Sequence, residues 1–338
     1  MMNPLSIILV IAFLFFSCKK TPQADVQPVY TDQFTIAGNK IYNYNNPVQL
    51  IGANAFHVFG AGSSDMNSWN IDIVREFVGN VKEARLTGNV FVDANGAYLH
   101  SLQSVVDSNR LNKKITVLCP FQWDGLAATD FTGKMPALTY WWADFKIKLQ
   151  QWATYFKDQP DVWLELWNEP YRYDRADGYN DNIWMSNMNE LTAIIRSAGN
   201  KNIILVACAE QGQDESVLIN KGVEFLNGKT NIIFDIHAYE KWLLVPAATM
   251  GNRLQQLKQL NLPIIFGEIA PLNAGILMNP NAFLDSVYNR GLSAMAWVWK
   301  YDGNDTDALL NAQGLPNNNN NNNWGTLYKT FCLKTRKP

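Results

Sequence analysis

Four short stretches hold groups of the right kind to move protons and attack carbon. They are "WNEP" (Trp167–Pro170), "DIHAYE" (Asp235–Glu240), "FGEI" (Phe266–Ile269) and "AWVW" (Ala296–Trp299). Each closes or follows an apolar run. Glu169 and Glu268 stand out, because a carboxylate at the end of a buried strand costs free energy unless something uses it. Two carboxyl groups flanking one bond can divide the work. One protonates a leaving oxygen, and the other attacks the carbon or activates a water. Asn168, His237, Tyr239 and Trp297 lie beside them in sequence and add hydrogen-bonding groups and flat apolar rings, which suit a sugar.

These groups need a scaffold that brings distant strand ends together. Apolar, strand-like runs recur at Val48–Asn54, Asn80–Leu86, Lys114–Cys119, Asp161–Trp167, Asn202–Cys208, Asn231–His237, Pro263–Glu268 and Leu292–Trp299. Helix-like segments lie between them. The clearest carries Trp142, Phe145, Leu149, Trp152 and Phe156 at spacings of three and four, all on one face. Others are Met66–Phe77, Ala97–Asn109, Asn182–Ser197, Ala247–Leu260 and Asn281–Asn289, with Gln213–Leu226 the weakest and Trp324–Leu333 last. Strands that are apolar throughout, alternating with amphipathic helices, imply parallel strands covered on both faces. The expected fold class is α/β, a (β/α)8 TIM barrel with a short N-terminal β-hairpin. An open doubly wound sheet fits less well, since no glycine-rich phosphate loop follows the first strand. In a barrel the catalytic groups sit at the C-terminal strand ends. That is where Glu169, His237, Glu268 and Trp297 fall.

"LELWNEP" and "IIFGE", separated by further strands, resemble glycoside hydrolase family 5, in clan A of the retaining glycosidases, over about Phe34 to Leu333. The resemblance implies that Glu169 is the general acid/base and Glu268 the nucleophile. It implies that Asn168 bonds the sugar 2-hydroxyl, that His237 and Tyr239 form the sixth-strand pair, and that Trp297 is a platform under the sugar, with Trp299 as fallback. The family's second-strand arginine maps to Arg85 in "NVKEARLTGN", or to Lys82 in another register. The third strand departs from the pattern, with Gln122 and Trp123 where a histidine is usual. An ionised Glu268 disfavours a second charge nearby, which keeps Glu169 protonated as an acid until Glu268 is esterified. Glu165 is read as a buried polar partner, Glu210 and Glu240 as structural or as substrate contacts, and His57 as lining the cleft or simply packed. Trp167 is expected to pack behind its strand against a helix. The implied activity is a retaining endo-β-glycanase of the endo-β-1,4-glucanase type, with endo-β-1,4-mannanase or a non-catalytic glycan-binding lipoprotein as alternatives. No metal or cofactor is implied, and the expected partner is a polysaccharide or oligosaccharide met by a monomer.

The remaining features set the context. The chain has 338 residues and a net charge of −2, which gives no reason to expect nucleic acid. The apolar run Leu5–Phe16 is too short to span a bilayer comfortably and is followed by Ser17-Cys18. Residues 1–17 are expected to be a signal peptide and 18–33 a polar tether, with the catalytic domain at 34–338. Cys18 would then be a lipid anchor, the expected link to a membrane, and the protein would be exported. Cys119, Cys208 and Cys332 are irregularly spaced, which argues against disulfides and zinc. The run Asn317–Asn323 reads as a surface loop.

Overall fold

The computed structural model describes residues 33–57, 60–83, 91–92, 98–99, 102–124, 130–300, 306–318 and 323–338. It opens on a three-stranded antiparallel sheet of β1 (Phe34–Ala37), β2 (Lys40–Asn43) and β3 (Asn46–Val48). The β1–β2 turn is two residues long and uses Gly38 at φ 57°, a left-handed conformation that glycine adopts without penalty. The barrel begins with β4 (Ile51–Ala55) and β5 (Ile73–Val78). The two-residue strands β6 (Phe91–Val92) and β7 (Tyr98–Leu99) form a side pair. Helix α1 (Leu102–Leu111), β8 (Ile115–Pro120), α2 (Trp142–Phe156), β9 (Val162–Glu165), α3 (Asp181–Ser197), β10 (Ile204–Ala207) and α4 (Ser216–Leu226) follow. The chain continues through β11 (Ile232–Ala238), α5 (Glu240–Leu243), α6 (Ala247–Gln259) and β12 (Ile264–Ile269). The pair β13 (Leu272–Asn273) and β14 (Ile276–Leu277), α7 (Asn281–Asn289), β15 (Ser293–Ala296) and α8 (Trp324–Cys332) complete it. Strands β4, β5, β8, β9, β10, β11, β12 and β15 close in that order into a parallel barrel.

Alternation along each strand explains the layers. On β5, Val74 and Val78 face the helices, whereas Ile73, Arg75 and Phe77 face the barrel interior. Ile73 joins Ile115, Trp163, Leu205, Ile233 and Ile265 in an apolar floor. The N-terminal sheet caps that floor, with Phe34 edge-on to Trp163 at 5.6 Å between ring centroids. A cavity of 330 Å³ lies at this capped end, lined by Phe34, Val48, Asp72 and Arg336 among others, away from the strand ends where Glu169 and Glu268 stand. Among the described residues no helix is long and apolar enough to cross a membrane.

Two expectations need correction. The segment read as a helix over Met66–Phe77 is a 3-10 turn at Asp65–Trp69 followed by strand β5. The second barrel strand is therefore β5, not Asn80–Leu86. Arg75 and Glu76 interrupt the apolar run in sequence and hide the strand, although both are buried. Arg85 lies outside the described residues, as do the segments assigned to the signal peptide, the tether before residue 33 and Cys18. The Asn317–Asn323 run is described only in part. Segment Gln213–Leu226, the faintest of the predicted helices, contains α4. Cys119, Cys208 and Cys332 are buried free thiols.

Candidate active site

The centre of the site is Arg75. Its guanidinium is fully buried, a position tolerable only if every donor is satisfied. Nε and Nη2 grip both oxygens of Glu165 at 2.6 and 2.7 Å. Nη1 donates to Asn54 Oδ1 at 3.0 Å and to Glu268 Oε1 at 2.6 Å, and Nη2 donates to Asn168 Oδ1 at 2.8 Å. That uses all five N–H groups of an arginine. Arg75 thus occupies the place the sequence reading gave to Arg85, and Glu165 is the buried partner expected of it. Asn54 is fixed in turn by donating to the carbonyls of Gly267 and Ala296.

Glu268 reaches this centre through a local irregularity. Ile236 pairs with Phe266 but His237 pairs with Glu268, so Gly267 is skipped in the β11–β12 ladder. A bulge of this kind re-aims a side chain. Ile265 faces the floor and Ile269 the helices, while Glu268 turns inward onto Arg75. Tyr239 donates from its hydroxyl to Glu268 Oε2 at 2.7 Å. Burial and the neighbouring Glu268 charge hold the Tyr239 phenol well above its ordinary value, so it remains a donor. Burial also pushes Glu268 above the ordinary carboxylate value. His237 opposes that shift, and Glu169 adds to it.

Glu169 has a different setting. After Leu166 the alternation of β9 breaks. Trp167 packs outward, stacked on Trp141 at 5.0 Å, and donates from its indole to the Phe131 carbonyl at 2.8 Å. Glu169 follows at φ 47°, and Pro170 ends the run. The Glu169 side chain is 17% exposed, and its Oε1 lies 3.1 Å from His237 Nδ1. The same nitrogen is 3.5 Å from Glu268 Oε2. One oxygen of each carboxylate and the imidazole nitrogen lie within 4.8 Å of one another. Asn168 is buried between Arg75 and Thr132, to which its Nδ2 donates at 2.8 Å.

Trp297 sits beyond the end of β15, half-buried. Its ring meets Phe77 and Phe56 edge-on at 5.2 and 5.9 Å, and its carbonyl accepts from the indole of Trp324 at the start of α8. Trp299 is fully buried against Trp69 and cannot serve as the platform. Trp123 stacks on Trp141 in the wall behind Glu169. His57 pairs with Glu76 at 2.5 Å and is a packed loop residue. Glu210 belongs to an ion network with Arg175 and Lys241, and Glu240 is held by Gln213 and Asn273. Sequence reading missed Arg75, Asn54 and Asp235. The signal for Asp235 was present in "DIHAY", where alternation puts Asp235, His237 and Tyr239 on one face.

Two trios of donor groups, Glu165–Asp235–His237 and Glu169–His237–Glu268, are close enough to share a cation. Of these carboxylates, Arg75 already takes both oxygens of Glu165 and one of Glu268.

A family profile described as cellulase (glycosyl hydrolase family 5) matches residues 43–303. A mannan endo-1,4-beta-mannosidase of Cellvibrio japonicus (strain Ueda107) is 23% identical over 210 residues, 61% of this chain and 46% of that protein. The match thus spans less than half the length of that relative. Among solved structures, the β-mannanase from Streptomyces thermolilacinus with mannohexaose superposes with a TM-score of 0.66 at 16% identity, covering 90% of this chain and 96% of its own. The β-mannanase from Thermomonospora fusca gives 0.65 at 18% identity, covering 87% and 92%. A cellulase gives 0.66 at 16%, covering 92% and 95%. At these identities the likeness establishes a shared barrel.

Proposed function

Because the chain belongs to glycosyl hydrolase family 5, we propose that it is a retaining endo-β-glycanase that cleaves β-1,4-linked polysaccharide, with Glu169 as acid/base and Glu268 as nucleophile. The observation that carries this is the pairing of two carboxylates, with oxygens within 4.8 Å, in unlike surroundings. Carboxyl groups about 5–5.5 Å apart fit direct attack by one of them, whereas about 6.5–9.5 Å leaves room for an attacking water. Glu268 is aligned by Arg75 and Tyr239, as a nucleophile must be. Glu169 is partly exposed, as a group that meets leaving group and then water must be.

In the first step the Glu169 proton passes to the glycosidic oxygen as the C–O bond breaks. Glu268 bonds to the anomeric carbon. In the second, Glu169 takes a proton from water, the water oxygen attacks that carbon, and the Glu268 ester is cleaved. Asn168, with one amide hydrogen on Thr132, has a second for the sugar 2-hydroxyl. Trp297 offers a ring to a sugar face.

A β-1,4-glucan is the primary substrate of this reading. A β-1,4-mannan is the second, supported by the similarity to a mannan endo-1,4-beta-mannosidase. Reducing-sugar release from carboxymethylcellulose and galactomannan, with NMR of the first-formed anomer, tests both. Glu268→Ala and Glu169→Ala are expected to abolish hydrolysis of unactivated glycan, and azide to rescue Glu169→Ala partly on an activated aryl glycoside. Wild type inert on every glycan, or active with inversion, overturns the reading. For location, the reading is export with a lipid at Cys18, supported by Leu5–Phe16 and Ser17-Cys18. Loss of membrane association in Cys18→Ser is the expected result, and a mature chain cut elsewhere and free in the medium refutes it.

A further inference from the structure

Below the catalytic pair lies a carboxylate that the proposed steps do not use. Asp235 on β11 is fully buried, and neither of its oxygens accepts a hydrogen bond from the described residues. His237 Nε2 is 3.5 Å from Oδ2, and Arg75 Nε is 3.6 Å from it. The Arg75 hydrogens are committed elsewhere, and His237 Nε2, which also has no hydrogen bond among the described residues, is the nitrogen left facing Asp235 at ion-pair distance. The fold keeps room for this group. A Cβ at Gly267 on β12 would come 2.1 Å from Asp235 Oδ1, so any side chain there would collide with the carboxylate. A buried, poorly bonded carboxylate is costly, and a fold that reserves space for one invites a functional reason.

The imidazole is surrounded by named groups on every side. Glu169 faces Nδ1 from the end of β9 and Glu268 faces it from β12, with Asp235 on Nε2. Glu165 and Arg75 lie deeper, and Tyr239 is above on the same chain segment. Cys119 on β8, bordering Arg75 and Asn168, is a thiol that burial pushes well up and keeps neutral. From the loop after β10, the Gly212 carbonyl accepts the His237 backbone N–H at 2.7 Å. A Cβ at Gly212 would sit 2.6 Å from the ring, so the backbone there clamps it.

We propose that Asp235 is a positioning residue that keeps His237 doubly protonated, so that Nδ1–H serves Glu268 while that group is ionised and Glu169 once the charge has moved there. The proposal rests on the acid/base and nucleophile roles given above. A neutral imidazole has one N–H and could not serve Asp235 and a catalytic carboxylate together. With an imidazolium, the resting centre holds two positive groups, Arg75 and His237, against three negative ones, Glu165, Asp235 and Glu268. In the glycosyl-enzyme Glu268 is a neutral ester and Glu169 is ionised, so the balance is unchanged. Nδ1 is hydrogen-bonded to Glu169 at 3.1 Å and lies at ion-pair distance from Glu268, 3.5 Å, so only a small shift of the ring separates the two contacts. Burial alone would lower the imidazole, yet Glu268, Asp235 and Glu169 together hold it well above its ordinary value.

The chain has three histidines, so long-range 1H–15N NMR of the full chain reads the ring of His237 directly. Both ring nitrogens of wild-type His237 are expected to be protonated at neutral pH. In Asp235→Asn the ring titration should fall by at least about one pH unit, a tenfold change in its proton equilibrium. That variant should also lose at least about tenfold in kcat with KM nearly unchanged, since Asp235 acts behind the sugar site. A neutral ring in the wild type, or an unchanged titration in Asp235→Asn, overturns the proposal. The wild-type spectrum decides alone if the variant does not fold. A doubly protonated His237 in a chain that cleaves no glycan would sink the hydrolase reading and leave the hold of Asp235 on His237 standing.

Discussion

Glu268 meets Arg75 and Tyr239 directly, at 2.6 and 2.7 Å, whereas among the described residues the Glu169 carboxylate has His237 alone, at 3.1 Å. This asymmetry supports the unequal tasks proposed for the two residues, and the proposal implies a pH dependence. Burial raises Glu268 above its ordinary value of 4.5. In the proposed mechanism attack requires the ionised form, so activity should be lost as pH falls through the raised value. The acid limb of a kcat/KM profile is therefore expected above the ordinary glutamate range, and a limb at or below it would contradict the burial of Glu268. At this scale most of the placement was legible. Glu169, Glu268, His237, Tyr239 and Asn168 meet where the strand-end rule put them. Arg75 was not, because a buried arginine with five acceptors looks in sequence like a surface charge. Its partners Glu165, Asn54 and Glu268 are scattered over the chain, and nothing local announces them.

At the scale of elements, the strands that read cleanly were apolar on both faces, such as β8 and β10. The strand that failed was β5, whose inward face carries the charge that supports the site. Alternation also breaks at the candidate site. The skip at Gly267 turns Glu268 inward, and the break after Leu166 sends Trp167 out and Asn168 in. No periodicity rule anticipates a bulge, since its cause is tertiary. Gly267→Ala tests the skip. Its new methyl group would press on Asp235, so a loss of about 1–3 kcal/mol in stability is expected from overpacking. Denaturant unfolding measures it, and activity should fall with it. Wild-type stability and rate in this variant would mean that the carboxylate has more freedom than the packing allows.

At the scale of the molecule, the barrel divides its labour between two ends. Phe34 and the N-terminal sheet close the floor, while the ionisable cluster opens at the far rim. Phe34→Ala should cost about 3 kcal/mol from lost burial and the cavity left behind. Thermal melting should show a fall of several degrees while kcat holds, and a large drop in kcat would mean that the floor and the rim are coupled. The left-handed backbone of Glu169, at φ 47°, has a further consequence for how such a protein evolves. A non-glycine residue there forfeits about 1 kcal/mol, so Glu169→Gly should be more stable than Glu169→Ala by about that amount in side-by-side unfolding. Among variants that lack the carboxylate, drift would then favour glycine over alanine at this position. Under the proposed reaction, the carboxylate at this position is held against a local backbone preference for glycine.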